Sequence, residues 1–288
     1  MSNYDFSTQK QLFEIAYQIL EDYHIDEWSF GGGTSLSYCY YQHRMSYDID
    51  IFSEDYSSIA KLIENHKEIA GNLGIELNQV KSSSSNITFI LEANNAGLKL
   101  DFLYGESLTS NPYEEKKVFG FSSIKIQTPL EIIARKLKYR ETLTIRDFLD
   151  FAFSEKEHQV LTRLKNENIS DIDRFFEINE QFQNFNEKVF NQELEYLKSS
   201  TLRTKEDLTP IISNLMMPNS LIEIAVDNKE VVSFDEFIEM YRETYEDVGK
   251  YEVYTLKKDK ISKYLTKDNI SYYDILSLRV EDVLKIKD

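Results

Sequence analysis

Two neighbouring stretches decide the reading of this chain: Trp28-Ser29-Phe30-Gly31-Gly32-Gly33-Thr34-Ser35-Leu36, and His43-Arg44-Met45-Ser46-Tyr47-Asp48-Ile49-Asp50-Ile51-Phe52. Trp28-Ser-Phe30 has the composition of a short strand. The glycines after it let the backbone approach a ligand closely, and residues 34 to about 42 read as a helix. A helix opening on a glycine turn offers free N–H groups at its positive end, a seat for phosphate. Residues 48–52 alternate with period two, so a strand is expected with Ile49 and Ile51 on its buried face and Asp48 and Asp50 together on the other. Thirteen residues, 35–47, separate Thr34 from Asp48. A short helix returning to the next strand therefore brings the glycine turn and the acidic pair to one sheet edge.

Asp48 and Asp50 repel each other unless a cation or basic group sits between them. Oxygen ligands of this kind suit Mg²⁺ or Mn²⁺ rather than zinc. A third acid is offered by Leu98-Lys-Leu-Asp101-Phe-Leu-Tyr104 on another expected strand. Glu92 competes for that place, but its strand runs into Asn94-Asn95 and reads as a hairpin end. A pair of acids plus one on a neighbouring strand is the ligand set of a two-metal phosphoryl-transfer site. An isolated D-x-D is more often the wet face of an amphipathic strand, so the glycine turn upstream tips the reading. Thr34 and Ser35 add hydroxyl donors there. Arg44 either holds a phosphate or neutralises the two acids, and Ser46 lies beside it. His43 has no metal-ligand partner one helical turn away and reads as a packing or hydrogen-bonding residue.

The 288 residues carry 33 Lys+Arg against 50 Asp+Glu, a net charge of −17, with 41% apolar residues. That apolar share excludes a disordered polymer, and the length allows one large or two modest domains. Cys39 is the single cysteine, which excludes an intrachain disulfide and a thiolate zinc cluster. No membrane span or secretory signal is expected, and the composition fits a cytoplasmic protein. The acidity argues against a general nucleic-acid coat, yet residues 116–146 hold eight basic residues and two acids, +6 in all. Lys136 and Arg140 lie one helical turn apart within that segment. Lys116 and Lys117 read as ion-pair partners for the surrounding acid.

Helices are expected over 8–20 (capped by Ser7), 57–72 and from Pro129, with strands at 75–80, 87–92, 98–104 and 118–126. Thr128-Pro129-Leu-Glu131 has the form of a capping box with proline at the first helical position. Further helices are expected at 145–153, 155–166, 171–198, 205–216, 234–246 and 271–286. Phe175, Phe176, Phe182, Phe185, Val189 and Phe190 read as the core of a helical region. Tyr251–Lys267 interleaves lysines with tyrosines; it reads as a solvated helix face rather than a single-stranded RNA contact.

The quoted residues, a G-G-T-x-L at Gly32–Leu36 and an H-R-x-S-x-D-I-D at His43–Asp50, resemble the AbiEii/AbiGii toxin family of the polymerase-β-like nucleotidyltransferases. Thr128–Leu137 looks like the helix bearing that family's lysine, Lys136. Ile145-Arg146-Asp147-Phe-Leu-Asp150 looks like its R-D-x-x-D segment. The resemblance spans about residues 28–153. It implies an α+β fold, with a nucleotidyltransferase core at 1–128 (a small mixed sheet with helices) and a mainly α-helical domain at 129–288, whose first helices (129–153) complete the site. It implies metal binding by Asp48, Asp50 and Asp101 (Mg²⁺ or Mn²⁺). Gly32, Gly33, Thr34 and Ser35, with Arg44 and Ser46, would hold the nucleotide, while Lys136 and Asp147 complete the catalytic set; Asp150 reads as a helix anchor. The implied reaction moves NMP from an NTP to a hydroxyl acceptor, with Asp101 or Asp147 taking the proton. The expected acceptor is RNA, such as a tRNA end, and the expected partner is an antitoxin in a phage-defence setting. Two competing readings are a transferase acting on a small molecule such as an aminoglycoside, and a catalytically silent nucleotide-binding protein.

Overall fold

Ile49 and Ile51 are fully buried in the computed structural model, and the strand they define lies mid-sheet. The structure describes residues 4–93, 96–166, 169–170, 172–214, 222–225, 231–232, 251–256 and 262–267. Helix α1 (Ser7–Asp22) turns Leu12, Phe13, Ala16, Ile19 and Leu20 inward at helical spacing. Asp5, not Ser7, serves its first turn: the Ser7 N–H donates to Asp5 Oδ1 at 2.9 Å. Strand β1 (Ser29–Gly31) runs into α2 (Gly32–Leu36), which continues as one π-turn, Ser37–Tyr41, and stops at Gln42 in the left-handed region. After β2 (Ile49–Ser53) come α3 (Tyr56–Glu64) and α4 (His66–Leu73). These replace the single helix expected at 57–72, because Asn65 interrupts it and folds its side-chain amide onto Lys61 O.

Strands β3 (Val80–Ser82), β4 (Asn86–Ala93), β5 (Ala96–Tyr104), β6 (Tyr113–Val118) and β7 (Phe121–Gln127) complete a mixed sheet of order β3-β4-β5-β2-β1-β7-β6. β1 is antiparallel to β2 and parallel to β7, and β2 is parallel to β5. The strand expected at 118–126 is thus the end of one strand and most of the next. Phe119 and Gly120, at φ +51° and +100°, make the turn. The core gathers Phe13, Phe30, Phe89, Phe102 and the strand isoleucines beneath the helices.

Helix α5 (Pro129–Tyr139) starts as expected at Thr128, whose Oγ1 accepts from the Glu131 N–H at 3.3 Å. The expected capping box is not completed, because the Glu131 carboxylate serves a neighbouring loop instead. α6 (Ile145–His158) has its own box between Thr144 and Asp147. α7 (Val160–Asn166) begins after Gln159, in the left-handed region, rather than at residue 155. The helix expected at 171–198 is two, α8 (Ile172–Asn184) and α9 (Glu187–Tyr196), the second capped by Asn186. Phe175, Phe182 and Phe190 are buried as expected, whereas Val189 is 55% exposed. The Phe176 side chain falls outside the described set. α10 (Lys205–Asn214) follows.

The chain forms two compact units, residues 1–170 with 184–209, and 171–183 with 210–288. Beyond residue 214 the described residues are strands, β8 (Ile222–Ala225), β9 (Val231–Val232), β10 (Tyr251–Leu256) and β11 (Ser262–Lys267), in the order β11-β10-β8-β9, the last two in place of the helix face expected at Tyr251–Lys267. The run Tyr251-Glu-Val-Tyr-Thr-Leu256 is rich in aromatic and β-branched residues, which favours a strand over the helix face expected there. The helices expected at 234–246 and 271–286 lie outside the described residues. Among the described residues, no helix is long and apolar enough to cross a membrane.

Candidate active site

Strand registers bring the acids together. Asp50 on β2 pairs with Asp101 on the parallel β5, and Asp101 pairs with Thr88 on the antiparallel β4. Residues in register on adjacent strands share a face, so the two carboxylates stand side by side and the Thr88 hydroxyl donates to Asp101 Oδ1. On the other flank Asp50 pairs with Gly31 of β1. The chain then turns at Gly32, at φ +69°, where a Cβ would lie 1.9 Å from Asp50 Oδ2. Only glycine permits that approach, which sets the start of α2 against the carboxylate. Asp48, just ahead of β2 and half-buried, adds its charge to both acids.

The charge of these acids is only partly compensated. Burial, then Asp101 and Asp48, push the Asp50 carboxyl up to about 7 against the partial relief of Lys136 and Arg140. Asp101 is raised as well, by burial and by Asp48, against the hydrogen bond from Thr88 and the charge of Lys99. Glu92 sits four residues further along β4 than Thr88, opposite Gly97, where the β4–β5 hairpin ends.

A second, compensated cluster lies behind the glycine turn. Asp150 on α6 accepts from His43 Nε2 at 2.6 Å, from Arg44 Nε and Nη2 at 2.7 and 2.9 Å, and from Lys136 Nζ at 2.6 Å. Asp147, one turn earlier, takes Lys136 Nζ at 2.7 Å, two contacts from Arg140 Nη1, and the Thr144 N–H and hydroxyl. Burial opposes ionisation of both acids, but these cations hold both well below the usual carboxylate range. Burial keeps His43 neutral, with Nδ1 unpartnered, so Nε2 carries the proton given to Asp150.

A cleft of about 690 Å³ opens over Asp50, within the range of small-ligand sites. Gly32, Gly33, Asp50, Phe52, Tyr104, Lys136, Lys138 and Arg140 are among its walls. Over residues 16–219 the chain matches the family described as nucleotidyl transferase AbiEii toxin, type IV toxin–antitoxin system. The chain belongs to the AbiEii family. It is therefore a nucleotidyltransferase of a toxin class. Among solved structures it is similar to MenT4, a nucleotidyltransferase toxin from Mycobacterium tuberculosis H37Rv, at 13% identity and TM-score 0.43, covering 83% of this chain and 90% of that one. It is also similar to JHP933 from Helicobacter pylori, at 16% identity and TM-score 0.37, covering 73% and 93%. No curated protein matches the chain in sequence.

Within the AbiEii chain, the expected site residues divide into two groups. Gly32, Gly33, Asp50 and Lys136 reach the cleft, with Asp101 beside Asp50 and Asp48 close by. Thr34, Ser35 and Arg44 are buried behind it. The Thr34 hydroxyl donates to Asp48 O and that of Ser35 to Phe30 O, so neither points a hydroxyl at a ligand as expected. Arg44 forks onto Asp150, and Ser37 Oγ donates to its carbonyl. Ser46 is half-buried, its carbonyl accepting from Gln9 Nε2 at 2.6 Å. Lys116 makes the ion pair expected of it, with Glu114 at 3.1 Å.

Among the described residues, no three His, Cys, Asp or Glu side chains are gathered into a cluster able to hold a metal. The donor chemistry nonetheless fits a hard divalent cation: these are oxygen ligands of like charge, whose mutual repulsion outweighs the relief that Lys136 and Arg140 give Asp50 and Lys99 gives Asp101.

Gly32→Ala tests the close approach. Its Cβ would collide with Asp50 in a backbone region alanine avoids, so a loss of about 1–3 kcal/mol and a fall in transfer are expected. Denaturation midpoints measure it; an alanine variant as stable as the parent would show that the elbow does not press on Asp50.

Proposed function

We propose that this chain transfers NMP from an NTP to a hydroxyl on RNA, such as a tRNA end, as a cytoplasmic toxin checked by an antitoxin in phage defence. The observation that carries the reading is the convergence of the glycine elbow on Asp50, itself in register with Asp101. In this proposal residues 1–128 form the core, and 129–153 of the following domain close the site.

Asp48, Asp50 and Asp101 would hold Mg²⁺ or Mn²⁺, which when bound neutralises phosphate charge and acidifies the attacking hydroxyl. The backbone N–H groups at Gly32, Gly33, Thr34 and Ser35 donate to phosphate oxygens of the nucleotide. Arg44 and Ser46 work from behind, positioning the segment that leads into Asp48. Lys136 and Arg140 offset the charge of the triphosphate from the α5 side of the cleft. Of the two candidate bases Asp101 is favoured, since it stands in register with Asp50, whereas both oxygens of Asp147 are taken up by Lys136, Arg140 and Thr144. The acceptor oxygen attacks the α-phosphorus, its proton passes to Asp101, and pyrophosphate leaves. Stabilising charge on the transferred group supplies most of the acceleration.

The test is incubation with each radiolabelled NTP, Mg²⁺ and total RNA. A labelled RNA species is expected, absent from the Asp48→Ala variant. Equal labelling by that variant, or no labelling with any nucleotide, would overturn the proposal.

A further inference from the structure

A buried ion pair on α5, outside both acid clusters, organises one wall of the cleft. Glu131 is fully buried and Arg135 is 6% exposed. Arg135 Nε donates to Glu131 Oε1 at 2.7 Å, four residues back along the helix. Its Nη2 donates to two successive carbonyls of the wall, Gly105 at 2.9 Å and Glu106 at 2.8 Å. The guanidinium lies 4.9 Å from the ring centre of Phe52, itself in the cleft. Glu131 takes the other half of the same loop: the Leu108 N–H at 3.1 Å, the Thr109 N–H at 3.0 Å and the Thr109 hydroxyl at 2.9 Å. Gly105 is the residue that lets this happen, since a Cβ there would sit 2.7 Å from Arg135 Nη1. One helix turn thus captures polar groups of residues 105, 106, 108 and 109 in a fixed order.

Burying such a pair costs desolvation that an apolar pair would avoid, so what it contributes is the geometry of the loop rather than stability. The loop it holds, with Tyr104 on one side, forms part of the cleft, whereas Gly33 and Lys136 belong to the phosphate side in the proposed function. We infer that Glu131 and Arg135 are positioning residues that fix the Tyr104–Leu108 wall as the seat for the base and ribose of the nucleotide. This rests on the nucleotidyltransferase reading and adds to it where the non-phosphate end lies. A preformed wall lowers the ordering cost of binding, so loosening it weakens affinity for the part of the ligand that touches it.

The experiment compares binding of NTP with binding of inorganic tripolyphosphate, both with Mg²⁺, by the full chain and by Arg135→Lys and Thr109→Val. Lysine keeps the charge but cannot fork onto two carbonyls and Glu131 together. Valine keeps the shape of Thr109 and removes one donor to Glu131, so it guards against a fold defect in the first variant. The expected result is NTP affinity reduced about tenfold in Arg135→Lys and severalfold in Thr109→Val, with tripolyphosphate affinity within about twofold of the parent. Equal losses for both ligands, or unchanged NTP affinity in both variants, would overturn the inference. A parent protein that binds tripolyphosphate and NTP equally well would overturn it too, while leaving the phosphate site standing; a parent that binds neither would remove the nucleotide reading itself.

Discussion

Asp50→Asn is expected to abolish nucleotidyl transfer while raising thermal stability. The two effects have one cause. Asp50 stands in register with Asp101 under the glycine elbow, and burial with two neighbouring acids lifts its carboxyl from 3.8 to about 7. Holding it ionised in the folded chain therefore costs about 4 kcal/mol above that pH. Asparagine removes that cost and keeps the shape, at the loss of a carboxylate the proposed mechanism requires. A fall in transfer of about a thousandfold or more is expected, alongside a melting temperature several degrees higher in EDTA at pH 8. The pH dependence has a definite sign. A carboxyl raised in the folded state destabilises above about pH 7, and the folded parent gains stability as pH falls from there towards 3.8. The difference between parent and variant should thus be largest near pH 8 and close towards pH 5. A variant less stable than the parent at pH 8 would show that Asp50 is not a strained charge, and a fully active one would remove it from the site.

The elements that set this site were legible where a residue type admits one reason. Glycines between a strand and a helix, and isoleucines alternating with aspartates, state a turn and a half-buried strand by their own sterics and polarity. Their meeting was legible from the short spacing of 13 residues between Thr34 and Asp48. Side-chain direction was not. Thr34 and Ser35 look like ligand donors in the sequence, yet a hydroxyl inside a tight turn finds a backbone carbonyl before it finds solvent. Glu131 was read as part of a capping box, and its real partners, Leu108 and Thr109, lie 22 or more residues away, beyond any local pattern. The Glu131/Arg135 spacing was the one available signal, since i and i+4 charges meet on a helix. The β6 strand, Tyr113-Glu-Glu-Lys-Lys-Val118, hid because its four central charged residues show no apolar alternation at the sheet edge.

Asp150 carries the largest expected loss of stability. It is fully buried and accepts from His43, Arg44 and Lys136, tying α5, α6 and the segment before β2 to one carboxylate. Asp150→Ala leaves Arg44 with a contact to Met45 O and the charges of Asp147 and Asp48, and leaves Lys136 with Asp147. Removing one partner from a buried pair costs about 3–5 kcal/mol, because the remaining charge has lost both its water and its counter-charge. The dependence on pH runs opposite to that of Asp50. A carboxyl held well below 3.8 in the folded chain contributes stability that is complete above that value and is lost only as pH falls through the lower folded one. The gap between parent and Asp150→Ala should therefore stay flat from pH 5 to 8, where the Asp50 gap changes most. Urea denaturation in EDTA at both pH values separates the two. A loss below about 1 kcal/mol for Asp150→Ala would mean that Arg44 and Lys136 find water or other acids without it, and that the cluster behind the elbow does not hold the site in place.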